Sequence, residues 1–232
     1  MKWGAFLLSV LFVGACVAAG ALTGVAIHTR VNADRPQPVL LLAAGRDGAL
    51  RAVWVASPAG DGLHLIGLPP ETWSPAEAAR LADLYAAGDE RRLRGAVAAL
   101  LEEVDYLAGT ITFSTEALAA LLPLNGDSLV LGAVPQDAHG LARYLDRSAD
   151  PLDALDRQAR VLKSLTAALA RLDARDVAAA LAGHARSALP EHVQAAFWRA
   201  LVAQEARVLP TPRERLRAMQ SGDSQPAYTL HP

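Results

Sequence analysis

Cysteine is almost missing from this chain. Cys16 is the one thiol in 232 residues, and it lies in an apolar N-terminal run. No intrachain disulfide can form, and Cys-based zinc sites are excluded. A surplus of either charge is missing too: 22 Lys and Arg face 24 Asp and Glu, a formal net charge of −2. Nucleic-acid binders usually carry a clustered basic excess, and this balance offers none. The histidines fall into no H-E-x-x-H or H-x-x-E-H spacing, and no Gly-x-Ser-x-Gly elbow, Walker loop or Rossmann glycine pattern occurs. Polar low complexity is also lacking. Apolar residues make up 52% and charged residues 20%, with 14 Pro and 17 Gly, which excludes a disordered or collagen-like chain. The length suits one large domain or two small ones.

What is present begins at the N-terminus. Gly4 to Ile27 carries no charge, between Lys2 and the pair His28 and Arg30. As a helix this run spans about 36 Å at 1.5 Å per residue. A hydrocarbon core is about 30 Å thick. Three readings follow: a retained anchor, which fits the length best; a cleaved signal peptide, which usually has a shorter core; and lipidation at Cys16 behind Val13-Gly14-Ala15. Lys2 against Arg30 and Arg35 hardly sets orientation.

The expected organisation is an anchor over 1–30, a linker over 31–38, a domain over 39–209 and a polar tail over 210–232. Val39 to Ala44 reads as a strand buried on both faces. Leu50 to Ala56 and Leu63 to Leu68 read as a hairpin across Pro58 to Gly62. Ser74-Pro75-Ala76-Glu77 carries a helix start with a capping box. Asp89 is expected to cap a second helix with Leu93, Ala96, Val97, Leu100, Leu101 and Val104 on one face. Tyr106 to Phe113 reads as a strand, Thr115 to Leu122 as a short helix, Asn125-Gly126 as a turn and Ser128 to Val134 as a strand. Asp150-Pro151 starts a helix with Leu155, Ala159, Leu162, Leu165, Leu169 and Leu172 in helical spacing. Further helices are expected over Ala174 to Ser187 and Pro190 to Val208, and an edge strand over Ala227 to Leu230. Strands alternating with helices imply layers around a central sheet.

The ionisable residues alone say little. Arg91, Arg92 and Arg94 read as a solvated helix face. Tyr85 and Tyr106 read as core packing, as do Trp54 and Trp73. The order of segments says more: three strands ending in Leu68-Pro69-Pro70-Glu71-Thr72, then Arg80-Leu81-Ala82-Asp83-Leu84-Tyr85-Ala86-Ala87-Gly88, an amphipathic helix, Val104-Asp105-Tyr106, a strand to Phe113, and a later helix with Asp156-Arg157-Gln158-Ala159-Arg160. This series, behind one N-terminal anchor, resembles the LytR-CpsA-Psr family of bacterial envelope proteins over about Val39 to Leu172.

The resemblance implies a three-layer α/β/α domain with a central mixed sheet behind one transmembrane helix. That domain would lie outside the cytoplasmic membrane. It implies Mg²⁺-assisted transfer of a glycopolymer from a polyprenyl-pyrophosphate carrier to peptidoglycan. Such a transfer needs cations on the leaving pyrophosphate and an apolar slot for the lipid. By the same resemblance, Arg51, Arg80, Arg147, Arg157 and Gln158 would bind the lipid pyrophosphate. Arg147, Arg157 and Glu71 would be catalytic, and Asp47 and Asp150 would hold the metal. The chain departs from the family pattern where Pro70 replaces an arginine, where Gly48-Ala49-Leu50-Arg51 lacks the metal-binding acid, and where Ala154 and Pro151 replace an arginine and an acid. These losses favour a lipid-binding descendant of the enzyme. The alternatives are an active transferase and a noncatalytic interaction domain.

Overall fold

The structure is a computed structural model. It describes residues 36–232 apart from 46, 61, 102–103, 115, 147–149, 171, 204–205, 212–215, 219–227 and 231–232. Gly4 to Ile27 and Cys16 lie outside the described residues. Among those described, no helix is long and apolar enough to cross a membrane.

Residues from Pro36 onward form one compact unit around a six-stranded mixed sheet. Three central strands follow the sequence pattern: β1 (Val39–Ala44), β2 (Leu50–Ala59) and β3 (Gly62–Leu68), all antiparallel to their chain neighbours. Their side chains alternate between two cores. Val39, Ala52, Trp54, Ala56, Leu63 and Leu65 face one side, and Leu40, Leu42, Val53, Val55 and Leu68 face the other. A sheet buried on both faces needs helices on both, hence three layers.

Helices α1 (Leu81–Ala86) and α2 (Glu90–Leu100) cover the aliphatic face. Asp89 caps α2 as expected, its Oδ1 accepting from the Arg92 N–H at 3.1 Å. Leu93, Ala96 and Val97 are the buried residues of α2. The helix stops at Leu100, so Leu101 and Val104 pack from the following segment. The strand expected over Tyr106 to Phe113 is shorter: β6 (Thr110–Ser114) pairs parallel with β1. Tyr106 is 54% exposed and is not a core residue. Helix α3 (Ala117–Leu121) leads into a 3-10 turn that ends at Gly126 with φ +75°. The opposite face is covered by α3, α5 (Pro151–Leu169), α6 (Ala174–Leu181) and α7 (Glu191–Ala203). Helix α4 (Ala138–Asp146) packs against α5.

Four expectations need correction. The helix start at Ser74 is a hairpin, β4 (Trp73–Ser74) with β5 (Ala79–Arg80). The Glu77 N–H closes a turn on the Ser74 carbonyl at 3.3 Å, and Ala78 takes φ +49°, which ends any helix. The carboxylate of Glu77 accepts from Arg92 Nε at 2.7 Å instead of returning to Ser74. The strand over Ser128 to Val134 is a second hairpin, β7 (Leu129–Leu131) with β8 (Val134–Gln136), turned at Gly132 with φ +66°. The helix over Ala174 to Ser187 stops at Leu181, and β9 (Ala185–Ser187) pairs with β6. The helix over Pro190 to Val208 stops at Ala203, and β10 (Arg207–Pro210) pairs parallel with β3. Both sheet edges therefore come from segments with helical patterning. Strands of three or four residues are too short to show a two-residue period, and the open edges of β6 and β3 supply their partners.

In the tail, β11 (Leu216–Ala218) pairs with β12 (Tyr228–Leu230), and Tyr228 bridges Thr72.

Candidate functional site

The register puts several chain ends together. Ala44 pairs with both Leu50 and Ser114, and Val53 pairs with Leu68. The carboxyl ends of β1, β3 and β6 and the start of β2 thus share one end of the sheet. Loops at the carboxyl ends of strands in open α/β sheets are the usual place for ligands.

The turn after β1 carries Asp47. Its Oδ1 accepts from the Ala49 N–H at 3.1 Å, and its Oδ2 accepts from Arg51 Nη2 at 2.6 Å. The Ala49 N–H is the main cause that holds this carboxyl below its ordinary value, and the Arg51 charge adds to it. Gly45 makes room for the pair: a Cβ there would come within 2.5 Å of Asp47 Oδ1 and 2.9 Å of Arg51 Nε.

The loop after β3 carries Glu71. The Pro70 and Thr72 carbonyls on either side accept the Ala82 and Leu81 N–H groups at 2.9 and 3.0 Å, so the loop caps α1 and is fixed by it. Burial pushes the Glu71 carboxyl above its ordinary value. Its own backbone N–H, Arg80 and Arg51 pull the other way, and Asp150 adds to the rise. Arg51, Arg80 and Asp150 therefore all act on Glu71. One Glu71 oxygen, Oε2, is buried without a hydrogen-bond partner. Arg80 is half-buried on β5, opposite Trp73. Asp150 caps α5, accepting from the Leu152 N–H at 3.0 Å, and its effect on Glu71 brings the N-terminus of that helix to this end of the sheet.

Helix α5 is held in register by Gln158. Its Nε2 donates to the Arg51 carbonyl at 2.8 Å, and its Oε1 accepts from Trp54 Nε1 at 3.3 Å. Trp54 in turn lies over Gly67, where a Cβ would come within 2.6 Å of the indole. Both ends of the Gln158 amide are thus spent on the protein, which fits a clamp between helix and sheet. Arg157 turns to α4: Nη1 donates to the Tyr144 carbonyl at 3.2 Å, and the guanidinium sits 5.1 Å from the Tyr144 ring centroid.

Of the residues singled out in sequence, the fold gathers Asp47, Arg51, Glu71, Arg80 and Asp150. It directs Arg157 to Tyr144 and Gln158 to Trp54. Arg147 lies outside the described residues. Tyr144, the Trp54 donor and the Pro70 and Thr72 carbonyls carried no sequence signal, because each acts through a partner on another element. The basic cluster on α2 is not simply solvated. Arg92 pairs with Glu77, and Arg94 Nη1 donates to the Leu107 carbonyl at 3.4 Å. Trp54 and Tyr85 pack as expected.

Asp47 and Asp150 would give Mg²⁺ at most two carboxylates, leaving phosphate and water to complete its shell. Mg²⁺ takes near-octahedral oxygen ligation. Asp47 spends both oxygens on Ala49 and Arg51, and no group of three His, Cys, Asp or Glu side chains gathers among the described residues. A hollow of about 390 Å³ lies elsewhere, lined by Lys163, Ala206, Arg207, Val208 and Leu209.

A mixed six-stranded sheet between helix layers, with charged loops at one end, defines the class of domain. Solved structures share it. TagT, described as bound to LIIa-WTA, matches with TM-score 0.68 at 11% identity over 86% of each chain. Bacillus subtilis TagV matches with TM-score 0.65 at 10% identity, over 85% of this chain and 92% of its own. An Enterococcus faecalis protein described as a transcriptional regulator matches with TM-score 0.63 at 16% identity, over 86% and 84%. No family model and no curated protein matches the chain. TagT and TagV are LytR-CpsA-Psr enzymes, so this chain has the LytR-CpsA-Psr fold, in agreement with the order of its sequence motifs.

Proposed function

We propose that this chain is a single-pass, membrane-anchored envelope protein of a bacterium. Its domain lies outside the cytoplasmic membrane and binds the polyprenyl-(pyro)phosphate carrier of a glycopolymer. The carrying observation is the field around Glu71, where Arg51 and Arg80 act together at the carboxyl end of the sheet, beside the N-terminus of α5. Arginine forks hold phosphate oxygens two at a time, and a helix N-terminus adds partial positive charge. The glycopolymer ligand is carried over from TagT, which shares the fold. The net charge of −2 argues against carrying over the transcriptional description of the Enterococcus protein.

Two features favour binding over transfer. Pro70 stands where the family has an arginine, and Asp47 is committed within its own turn. An active transferase remains the second reading because Glu71 keeps a buried oxygen with no partner. In that reading an acceptor hydroxyl attacks the polymer-linked phosphorus, the anhydride bond breaks, polyprenyl phosphate leaves, and the hydroxyl proton passes to Glu71. Burial brings the pKa of that carboxyl closer to neutral pH, as a base requires.

Calorimetric titration of the full chain with a polyprenyl pyrophosphate, with and without Mg²⁺, tests the reading. Arg51→Ala and Arg80→Ala should each weaken binding by about tenfold or more, the worth of a charge-assisted bond. Arg157→Ala should do less, since Tyr144 holds that guanidinium, and Arg92→Ala should do nothing. Absence of binding in either condition sinks the lipid site and leaves an interaction domain. Tight Mg²⁺-dependent binding with polymer transfer to peptidoglycan would show an active enzyme.

A further inference from the structure

Between Asp127 and Asp137 the chain has no ionisable residue. This stretch is the β7–β8 hairpin. Leu129, at its base, is buried with Leu122, Leu141 and Val161, and Leu131 packs beside them. The rest faces outward: Val130 is 53% exposed and Val134 55%, and Gly132, Ala133 and Pro135 are exposed as well. Val130 and Pro135 are cross-strand partners, so the apolar surface is continuous around the tip.

The place of the hairpin follows from the direction of α5. The N-terminus of that helix acts on Glu71 at the carboxyl end of the sheet, and Gln158 reaches Arg51 and Trp54. Farther along, Lys163 shares the hollow with Arg207 to Leu209, which pair with His64 to Ile66 and through them with Ser57 to Val55. Leu129 and Leu131 join the cluster of Val161, Leu165 and Ala168, on this second half of the helix. Val39 pairs with Ala56, so the chain enters the sheet toward that same end. The residues from 28 to 38 separate Val39 from the apolar run ending at Ile27, and an extended chain of that length reaches at most about 40 Å.

We propose that the β7–β8 hairpin is a second membrane contact. Its uncharged tip enters the boundary between headgroups and acyl chains of the bilayer that holds the anchor. This rests on the anchor reading above. The chemistry suits that depth. Apolar side chains gain by leaving water, no charge is carried in, and at the headgroup boundary water still reaches the backbone groups on the open edges of the hairpin. Asp127 and Asp137 bracket the run and limit how far it can sink. Asp137 is fixed at the base, where Oδ1 accepts from the Gly140 N–H at 2.7 Å.

The test uses the full chain with Cys16→Ser, reconstituted in phosphatidylethanolamine–phosphatidylglycerol vesicles. One new cysteine carries an environment-sensitive fluorophore, at Val134→Cys or, as the control, at the exposed Ala76→Cys in the β4–β5 turn. Lipids with a nitroxide high on the acyl chain should quench the probe at 134 several-fold more than the probe at 76. Adding Val130→Asp to the 134 probe should abolish the difference while the chain still floats with the vesicles. Equal quenching at both positions overturns the proposal. So does shielding of the 134 probe in detergent that grows with protein concentration, which would mean that a second copy covers the tip. A chain that leaves the vesicles on a carbonate wash overturns the anchor, and the hairpin contact with it, since so small a tip cannot hold the chain alone. A floating chain with an unquenched tip overturns the hairpin contact only.

Discussion

The two faces of the sheet are built from the same alternating strands but are held differently. Toward α1 and α2 the contact is aliphatic: Leu40, Leu42, Val53, Val55 and Leu68 meet Leu81, Leu84, Leu93, Ala96 and Val97. Toward α5 and α7 it contains Trp54, Phe197 and Trp198, and Gln158 crosses it with hydrogen bonds to Trp54 and Arg51. Aliphatic packing is tolerant of small slides, because dispersion and burial have little direction. A two-ended amide clamp is not, because both bonds lapse when the helix slips. Each layer delivers a residue to the field of Glu71, Arg80 from the start of α1 and Asp150 from the start of α5. On the α1 side the directional bonds run to the Glu71 loop from the helix backbone, and on the α5 side they run to the sheet from the Gln158 side chain.

The largest effects should come from the cores themselves. Phe197, 1% exposed, should cost about 3–5 kcal/mol on truncation to Ala, and Leu93, also 1% exposed, about 2–5 kcal/mol. Denaturant unfolding measures both. Leu162 is half-buried against the aromatic face, so Leu162→Ala should cost less than Leu93→Ala. A larger loss at Leu162 would mean that the aromatic face is the tighter one throughout, not only at its clamp.

The clamp itself should come next. Gln158→Leu leaves the buried Trp54 indole N–H without its acceptor and should cost about 1–3 kcal/mol, with a change in tryptophan emission. It should also lower lipid affinity, because α5 would no longer hold its N-terminus in place. An unchanged stability and spectrum would make the two faces equivalent and remove the contrast.

The smallest effect is a pH dependence. Burial, the largest cause, raises the folded-state pKa of Glu71 above its ordinary 4.5. Such a group loses stabilisation as pH rises from the unfolded value through the folded one. Glu71→Gln carries no titrating carboxyl. It should match the wild type below pH 4.5 and become the more stable form above the Glu71 pKa. A variant less stable than wild type at neutral pH would mean that the attraction of Arg80 and Arg51 outweighs desolvation.

The legible and illegible parts divide along physical lines. Asp89 and Asp150 were readable as caps because a cap joins residues two or three apart. Ser74 carried the same kind of signal and misled. Its hydroxyl is fully buried, and the partner it needed, Glu77, is taken by Arg92 on another element. The candidate site was half legible. Arg51, Glu71 and Arg80 could be named from motif order, but nothing local told that Arg157 would face Tyr144 or that Gln158 would brace a strand more than a hundred residues away.

By itself, the sequence determined the burial of β1 on two faces, the hairpin of β2 and β3, the turn at Gly126, and the places where α2 and α5 begin. Those depend on apolar periodicity, backbone freedom and capping, which act within a turn or a few residues. Only the tertiary structure decided that β9 and β10 would leave helical segments to close the sheet. It alone decided which charges would surround Glu71, and which face of the sheet would carry a clamp. Those outcomes depend on free strand edges, desolvation and direction-dependent bonds between distant segments, and none of these exists until the layers have packed.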